Sequence, residues 1–442
     1  MAMANEYRSL YWNENETQPI HYRMFGVKGI FMNDSIYLDL LKDDLFNIYE
    51  GEIYFIDGGK KITTKASITM QISPYPRIVM YPHDFSTLKG FEHKRLMKCR
   101  ITTDKNEVII PNRVSIRYEN QEHNTYLDLE LTTKSFKTRD EEVNNVKIFI
   151  MNCGYIFYSY LEEAAYQLTY GDWTIDFKFR PDKQDISSFY KTLKGKRGYD
   201  VTHVGTIYKN NNKNFNTEEI IELISWLEWY LSFCSAQQVF IPIQLGFVDE
   251  RKVWEHYVII EKEISHYQDN TSWGTIHEAE PFNKSFSNVV TKLRQDIWED
   301  VLKVVLNWYL EVMGNGMTEN KIIATQVALE QLSWVYLVNQ EQILDKEAYA
   351  KLRTTDILRL LFYQLKIQKK IDSEFTVGKQ LLKKYNNDGV YMFVECRNSL
   401  VHPEKKKNKF QWSNDEKTIA CYQGIDFLEK ALKEIIGFGK EE

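Results

Sequence analysis

The chain lacks any CxxC pair, and its five cysteines (Cys99, Cys153, Cys234, Cys396, Cys421) are scattered and odd in number. That excludes a disulfide framework and a cysteine zinc site, and it reads as reduced thiols in a cytoplasmic protein. No stretch reaches the ~20 apolar residues of a membrane span. Residues Met1 to Glu6 lack the charged-then-apolar pattern of a secretory signal, so the cytosol is the expected compartment. Phosphate loops of the Walker type, GxGxxG turns, HExxH helices and GxSxG elbows are all missing. Nucleotide hydrolysis, zinc proteolysis and α/β-hydrolase chemistry therefore have no support. His83, His93, His203 and His266 share no ligand spacing, and neither a metal nor a cofactor is expected. An excess of positive charge is also missing. The chain holds 56 Lys and Arg against 62 Asp and Glu, a net charge of −6. That excludes a protein that coats nucleic acid nonspecifically but leaves room for a local basic site.

What the chain does have is aromatic content (14%) and two distinct periodicities. In the first half, Leu127, Leu129 and Leu131 alternate with Asp128 and Glu130, and Ile175, Phe177 and Phe179 alternate with Asp176 and Lys178. Such period-two patterns predict strands with one face on a core. Asp57-Gly58-Gly59 between Ile53–Ile56 and Ile62–Thr64 predicts a hairpin. Asn216 or Thr217 is placed to cap a helix over about 217–235, with Glu218 and Glu219 in its first turn. Strands return at Phe240–Phe247 and Val253–Ile260. From about 285 the period turns helical: Leu293, Ile297, Val301, Val304 and Trp308 read as one helix face. Gly314-Asn315-Gly316 ends that helix. Further helices are expected over about 318–340, 347–370 and 374–402 (interrupted at Asn386–Gly389), and a last one carries Ile419, Ile425, Leu428, Leu432 and Ile435. The fold class is thus α+β, a β-rich N-terminal region followed by an all-α helical bundle. Three segments are expected: a β-rich domain (1–205), a helix with strands and connector (206–284), and the bundle (285–442).

Within the bundle, Arg397, Asn398 and His402 gather at the end of a helix that Asp388 is placed to cap. Pro403 disfavours helical geometry at His402, so the imidazole sits where the backbone turns away. Arg397 is one turn from Phe393 and two from Val390, which sets its base on the packed side. Asn398 and His402 are four apart and share a face. A near-neutral imidazole can move the proton of a ribose 2′-hydroxyl or of the leaving 5′-oxygen. A guanidinium can grip the scissile phosphate. With the RNA's own 2′-hydroxyl as nucleophile, no metal is needed. The spacing alone is weak, since 15 Arg and 9 His give about 0.3 chance Arg-x4-His matches. A second match, Arg251…His256, lies in a strand-like stretch where the two residues face opposite sides. The ordinary account of the 397–402 pair is a surface His and an Arg held by a nearby carboxylate.

Glu395-Cys-Arg-Asn-Ser-Leu-Val-His402 resembles the Arg-φ-x4-His signature of HEPN domains. Val327-Ala-Leu-Glu330-Gln-Leu, Trp226-Leu-Glu-Trp-Tyr-Leu-Ser-Phe233, Val239-Phe-Ile-Pro, Gly26-Val-Lys-Gly and Gly51-Glu-Ile…Asp57-Gly-Gly-Lys-Lys-Ile-Thr63 resemble one branch, the ApeA-like bacterial anti-phage proteins. The resemblance covers most of the chain and is most specific at the bundle motif. It implies a HEPN endoribonuclease used in abortive infection. It further implies a dimer or larger homo-oligomer joining two motifs in one cleft, and an N-terminal region that senses a phage-derived trigger. Arg397, His402 and Asn398 are then the expected catalytic residues, and Glu330 a carboxylate that orients Arg397. Lys405, Lys406, Lys407 and Lys409, beside Phe410 and Trp412, are expected to contact RNA, either transfer or messenger RNA. The alternative is a non-catalytic module in which the bundle dimerises or binds RNA or protein.

Overall fold

The structure is a computed structural model that describes residues 37–439 apart from short stretches, the longest being 84–97, 155–164, 259–266, 269–278 and 403–411. It is α+β, with two antiparallel sheets followed by helices, as the two periodicities predict.

The first sheet contains β1 (Leu45–Asp57), β2 (Lys60–Gln71), β3 (Arg77–Pro82), β4 (Lys98–Thr102), β5 (Val108–Ile109), β6 (Val114–Gln121) and β7 (Asn124–Leu131), in the order β5-β4-β1-β2-β3-β7-β6. Asp57 pairs with Lys60, so β1 and β2 form the expected hairpin, while Gly58 and Gly59 between them lie outside the described residues. The 127–131 alternation falls in β7.

The second sheet, ordered β11-β12-β13-β10-β15-β16-β8, is closer to the helices. It comprises β8 (Ser135–Lys137), β10 (Asn145–Met151), β11 (Ala165–Tyr170), β12 (Trp173–Phe179), β13 (Val201–Lys209), β15 (Phe240–Val248) and β16 (Arg251–Val258). A short pair, β9 (Glu142–Val143) with β14 (Phe215–Asn216), leads into the helix α2. Tyr37 and Phe46 both pack edge-on to Phe149 of β10, and the Tyr37 hydroxyl donates to the Gly205 carbonyl of β13 at 2.6 Å.

The region expected to be mainly β also holds a helix, α1 (Ile186–Lys196), which Asp185 caps through the Ser188 N–H. Helix α2 (Thr217–Ser235) begins with a full capping box. The Asn216 side chain accepts from the first-turn backbone, and Glu219 accepts from the Asn216 N–H at 3.1 Å.

The helical region contains α3 (Ala279–Leu293), α4 (Glu299–Met313), α5 (Thr318–Trp334) with a π-helical extension to Gln340, α6 (Lys346–Lys351), α7 (Thr354–Gln364), α8 (Thr376–Lys384), α9 (Gly389–Val401) and α10 (Asn414–Ile436). Two expectations need correction. The predicted helix over 347–370 is two helices, parted where Leu352 and Arg353 adopt extended backbone. The stripe Leu293–Ile297–Val301–Val304–Trp308 is not one face, because Leu293 closes α3 before the chain turns into α4. Ile297 and Val304 are 42% and 43% exposed. The buried face of α4 is Leu302, Val305, Leu306, Tyr309 and Val312.

One apolar core runs from the second sheet into the helices. It takes in Ile148 and Phe177 from strands, Leu227 and Tyr230 from α2, and Phe282, Tyr309, Leu329, Phe393 and Phe427 from the bundle. Residues 34–442 form a single compact unit, and the border expected at 284 falls inside α3.

Candidate functional site at the end of α9

Helix α9 starts at a designed stop in the chain. Asn386 and Asn387 both have positive φ, and Asp388 then caps the helix by accepting from the Tyr391 N–H at 2.9 Å. Gly389 is required at the first position. Its N–H donates to the Lys369 carbonyl at 2.8 Å, and an added Cβ would sit only 3.0 Å from that oxygen. Val390, Met392, Phe393, Val394 and Cys396 bury one side against α5, α7 and α10. Gly424 of α10 admits the Phe393 ring, since a Cβ there would overlap it. The last turn holds: the His402 N–H donates to the Asn398 carbonyl at 3.0 Å. Beyond it, His402 leaves helical geometry with φ −113 and ψ 85, as a residue before proline should.

Arg397 is half-buried, and its Nε is enclosed with no hydrogen-bond partner among the described residues. Nη1 reaches Asn398 Oδ1 at 3.5 Å. Among the described residues no carboxylate lies within 4.0 Å of this guanidinium, so none of them makes it the salt-bridged arginine of the ordinary account. His402 is exposed. Arg397 and His402 are about 140° apart around the helix at ~100° per residue, and Asn398 spans the gap, in contact with the first and one turn below the second. The site therefore presents a cation, an amide and a solvent-facing imidazole around one helix end.

Glu330 takes no part in that cluster. Its carboxylate accepts from Gln326 Nε2 at 2.7 Å and Thr354 Oγ1 at 3.2 Å, so it ties α5 to the start of α7. Around Cys396 the neighbouring charges are Lys417, Glu416 and Glu319, which sets the last turns of α9 beside the start of α5. Glu330 stands about 16 Å of helix rise beyond Glu319 at ~1.5 Å per residue, too far to orient Arg397 within one chain. Lys405, Lys406, Lys407, Lys409 and Phe410 lie outside the described residues. Trp412 stacks on Tyr385 with ring centroids 5.6 Å apart, and the Lys384 ammonium sits 5.1 Å over its ring. The second Arg-x4-His pair is split as expected: Arg251 is exposed, whereas His256 is buried with Nδ1 2.9 Å from Gln244 Oε1.

Sequence reading did not single out the charge of the whole neighbourhood. Residues 351–409 carry 14 Lys and Arg against 6 Asp and Glu, a net of +8 within a chain of −6. A running charge count finds this signal, while the short lysine run alone does not. Met317, Val401 and Tyr422, at the start of α5, the end of α9 and in α10, are 68%, 38% and 40% exposed.

Two family profiles match the chain. Residues 138–268 match the YopA central domain and residues 295–441 the YopA C-terminal domain. The second sheet apart from β8, together with α2, falls in the first match, and the α9 site in the second. The chain is 31% identical over 274 residues to the SPbeta prophage-derived uncharacterized protein YopA of Bacillus subtilis (strain 168). That similarity covers 62% of this chain and spans 60% of the length of the relative. No solved structure matches the chain.

Proposed function

We propose that the helical region is a HEPN-type nuclease and that the protein is a metal-independent endoribonuclease effector of bacterial anti-phage defence, working in the cytoplasm. The observation that carries this reading is the Arg397 guanidinium, half-buried, with an enclosed Nε and no carboxylate beside it among the described residues, next to Asn398, which lies one turn before an exposed imidazole. A partly desolvated cation without an anion is costly unless a ligand supplies the anion. A phosphodiester is the ligand that also gives the histidine something to do.

In this reading His402 takes the proton of the ribose 2′-hydroxyl, and the resulting oxygen attacks the adjacent phosphorus. The P–O5′ bond breaks, and the 5′-oxygen receives a proton from an imidazolium. The products are a 2′,3′-cyclic phosphate and a 5′-hydroxyl. Arg397 holds the non-bridging oxygens as negative charge builds, and Asn398 steadies the guanidinium. Proton acceptor and proton donor are two roles, and both are filled at once if a second copy contributes its own His402. The exposed apolar side chains Met317, Val401 and Tyr422 at this end of the bundle favour such a dimer or larger assembly. Single-stranded RNA, in a transfer-RNA loop or a messenger, is the proposed substrate, and a phage-derived signal received by the β half is the proposed trigger. The prophage origin of the Bacillus subtilis relative accords with a role in conflict between phages and their host.

The test is cleavage of RNA by purified protein in excess EDTA. Arg397→Ala and His402→Ala are each expected to lower the rate on the order of 10²-fold or more while leaving the melting temperature within a few degrees. Cleavage that survives both substitutions sinks the assignment. The same apolar side chains also suit a non-catalytic dimerisation module. In that case His402→Ala changes assembly and stability, and wild type leaves RNA intact.

A further inference from the structure

The opposite end of α9 holds a second feature, which the cleavage chemistry does not use. A cavity of about 380 Å³ lies there, lined by Arg359, Gln368, Lys369, Lys370, Asn387 and Asp388. Its charges are not all available. Arg359 donates to Asp388 through Nη2 and to Asp356 Oδ1 at 3.1 Å, and Asp388 also caps α9. These groups neutralise one another. Lys369 and Lys370 have no carboxylate within 4.0 Å among the described residues, although Lys369 is half-buried and its carbonyl is fixed by the Gly389 N–H. Among the described residues, then, the cavity is lined by two lysines that no carboxylate compensates.

The same end of α9 is joined to the motif by one helix face. Asp388, Tyr391, Glu395, Asn398 and His402 follow one another at steps of three and four residues, which is a single stripe along α9. Tyr391 on this stripe is 43% exposed, a flat ring between the two ends. Glu395 repels a phosphate at mid-stripe, so the N–H edge of a base fits there better than the backbone does. From Asp388 to His402 the rise is about 21 Å at ~1.5 Å per residue. That is about six nucleotides at ~3.4 Å per stacked nucleotide. Cations at one end, an aromatic ring between, and a phosphate-gripping arginine at the other end make the pattern by which single strands are held.

We propose that the Lys369–Lys370 cavity is a phosphate subsite for single-stranded RNA, gripping the strand about six nucleotides from the scissile bond at Arg397 and His402. The proposal rests on the ribonuclease reading above. It makes the enzyme read strand length: a fragment that reaches only the motif loses the cavity's contribution, and a longer unpaired strand gains it. A duplex or a tightly folded stem is excluded from the stripe because its bases are not free to lie against Tyr391.

The experiment measures binding of fluorescent single-stranded RNAs of about 4 and 12 nucleotides to the full chain carrying His402→Ala, over a range of salt. With Lys369→Ala and Lys370→Ala added, binding of the longer RNA is expected to weaken about tenfold. Its log–log salt slope should fall by about 1.4, near 0.7 for each lost phosphate contact. Binding of the shorter RNA is expected to stay unchanged. Unaltered binding and slope for the longer RNA overturn the subsite. Displacement of the longer RNA by inorganic phosphate or a mononucleotide at equal concentration does so too, because the cavity then serves small anions. If the chain with intact Lys369 and Lys370 binds neither RNA and wild type cleaves neither, the ribonuclease reading itself falls. Cleavage of the short RNA with no length effect leaves that reading standing and removes only the subsite.

Discussion

At the scale of single residues, burial decides which groups titrate unusually. His203 is packed among Tyr166, Phe177 and Phe179, and burial pushes it down to about 3. His256, beside Gln244, is pushed down to about 4 by burial and then by Lys137. Both values lie below the ordinary 6.5, so the unfolded chain takes up these protons first. Their stability contribution is complete above about pH 6.5 and is lost as pH falls toward the folded values. Glu228 has the opposite sign. Burial raises its carboxyl to about 7, against the favourable Ile241 N–H at 2.7 Å. Its contribution is complete below the ordinary carboxylate value and is lost as pH rises through about 7. Glu228→Gln is therefore expected to raise the melting temperature near pH 8 and to change it little near pH 5, measured by thermal circular dichroism. An equal gain at both values would show that the shift has another source. The residue scale is also where the sequence was read best at the site. The buried side of Arg397 and the helix end at His402 follow from spacing to Phe393, Val390 and Pro403. The position of Glu330 was not legible, because a helix pattern does not say which end of one helix meets which end of another.

At the scale of elements, local chemistry was legible wherever a cap or a turn names its own position. Asn216 with Glu219, Asp57-Gly58-Gly59, and Asp388 before Gly389 each fixed a boundary. The caps carry measurable weight: Asn216→Ala is expected to cost about 1 kcal/mol, read from the midpoint of urea unfolding. What failed was phase. The apolar residues from 293 to 308 straddle a turn, so a period counted across it mixed two helices, and the face so named is partly exposed. The seam between α9 and α10 shows how an element sets the site. Gly424 is the only residue type there that leaves room for Phe393, and Phe393 lies one turn before Arg397. Gly424→Ala is expected to cost roughly 1–3 kcal/mol through overpacking. On the proposed reading it should lower RNA cleavage as well, since the ring that must yield lies one turn before Arg397 on α9. A variant with wild-type stability and rate would mean that α10 can slide without disturbing α9.

At the scale of the molecule, the expected class, β-rich then helical, holds, while the core is not divided where the pattern of periods changes. Tyr230 of α2 donates its hydroxyl to the Phe282 carbonyl, and Phe233 packs edge-on to Tyr309 of α4 at 5.4 Å. Periodicity reports which face of an element is apolar and is silent on the element it meets, so this shared core could not be read in advance. A fragment of residues 285–442 is expected to expose Tyr309 and its neighbours, to bind a hydrophobic dye and to melt without a cooperative transition. A sharp two-state melt for that fragment would show that α2 and the start of α3 are dispensable.

The shared core also limits how such a protein can be switched. On the proposed ribonuclease reading, a signal that pried the sheets from the helices is expected to melt the helices that hold Arg397, so release of a free-standing effector is not the expected route to activation. On that reading, control is expected to work with the chain intact, by how many copies gather at the α9 end or by what is allowed to approach it. Mutants that are permanently on should therefore map to surfaces such as Met317 and Tyr422, and loss-of-control changes in the interior should instead leave the protein dead.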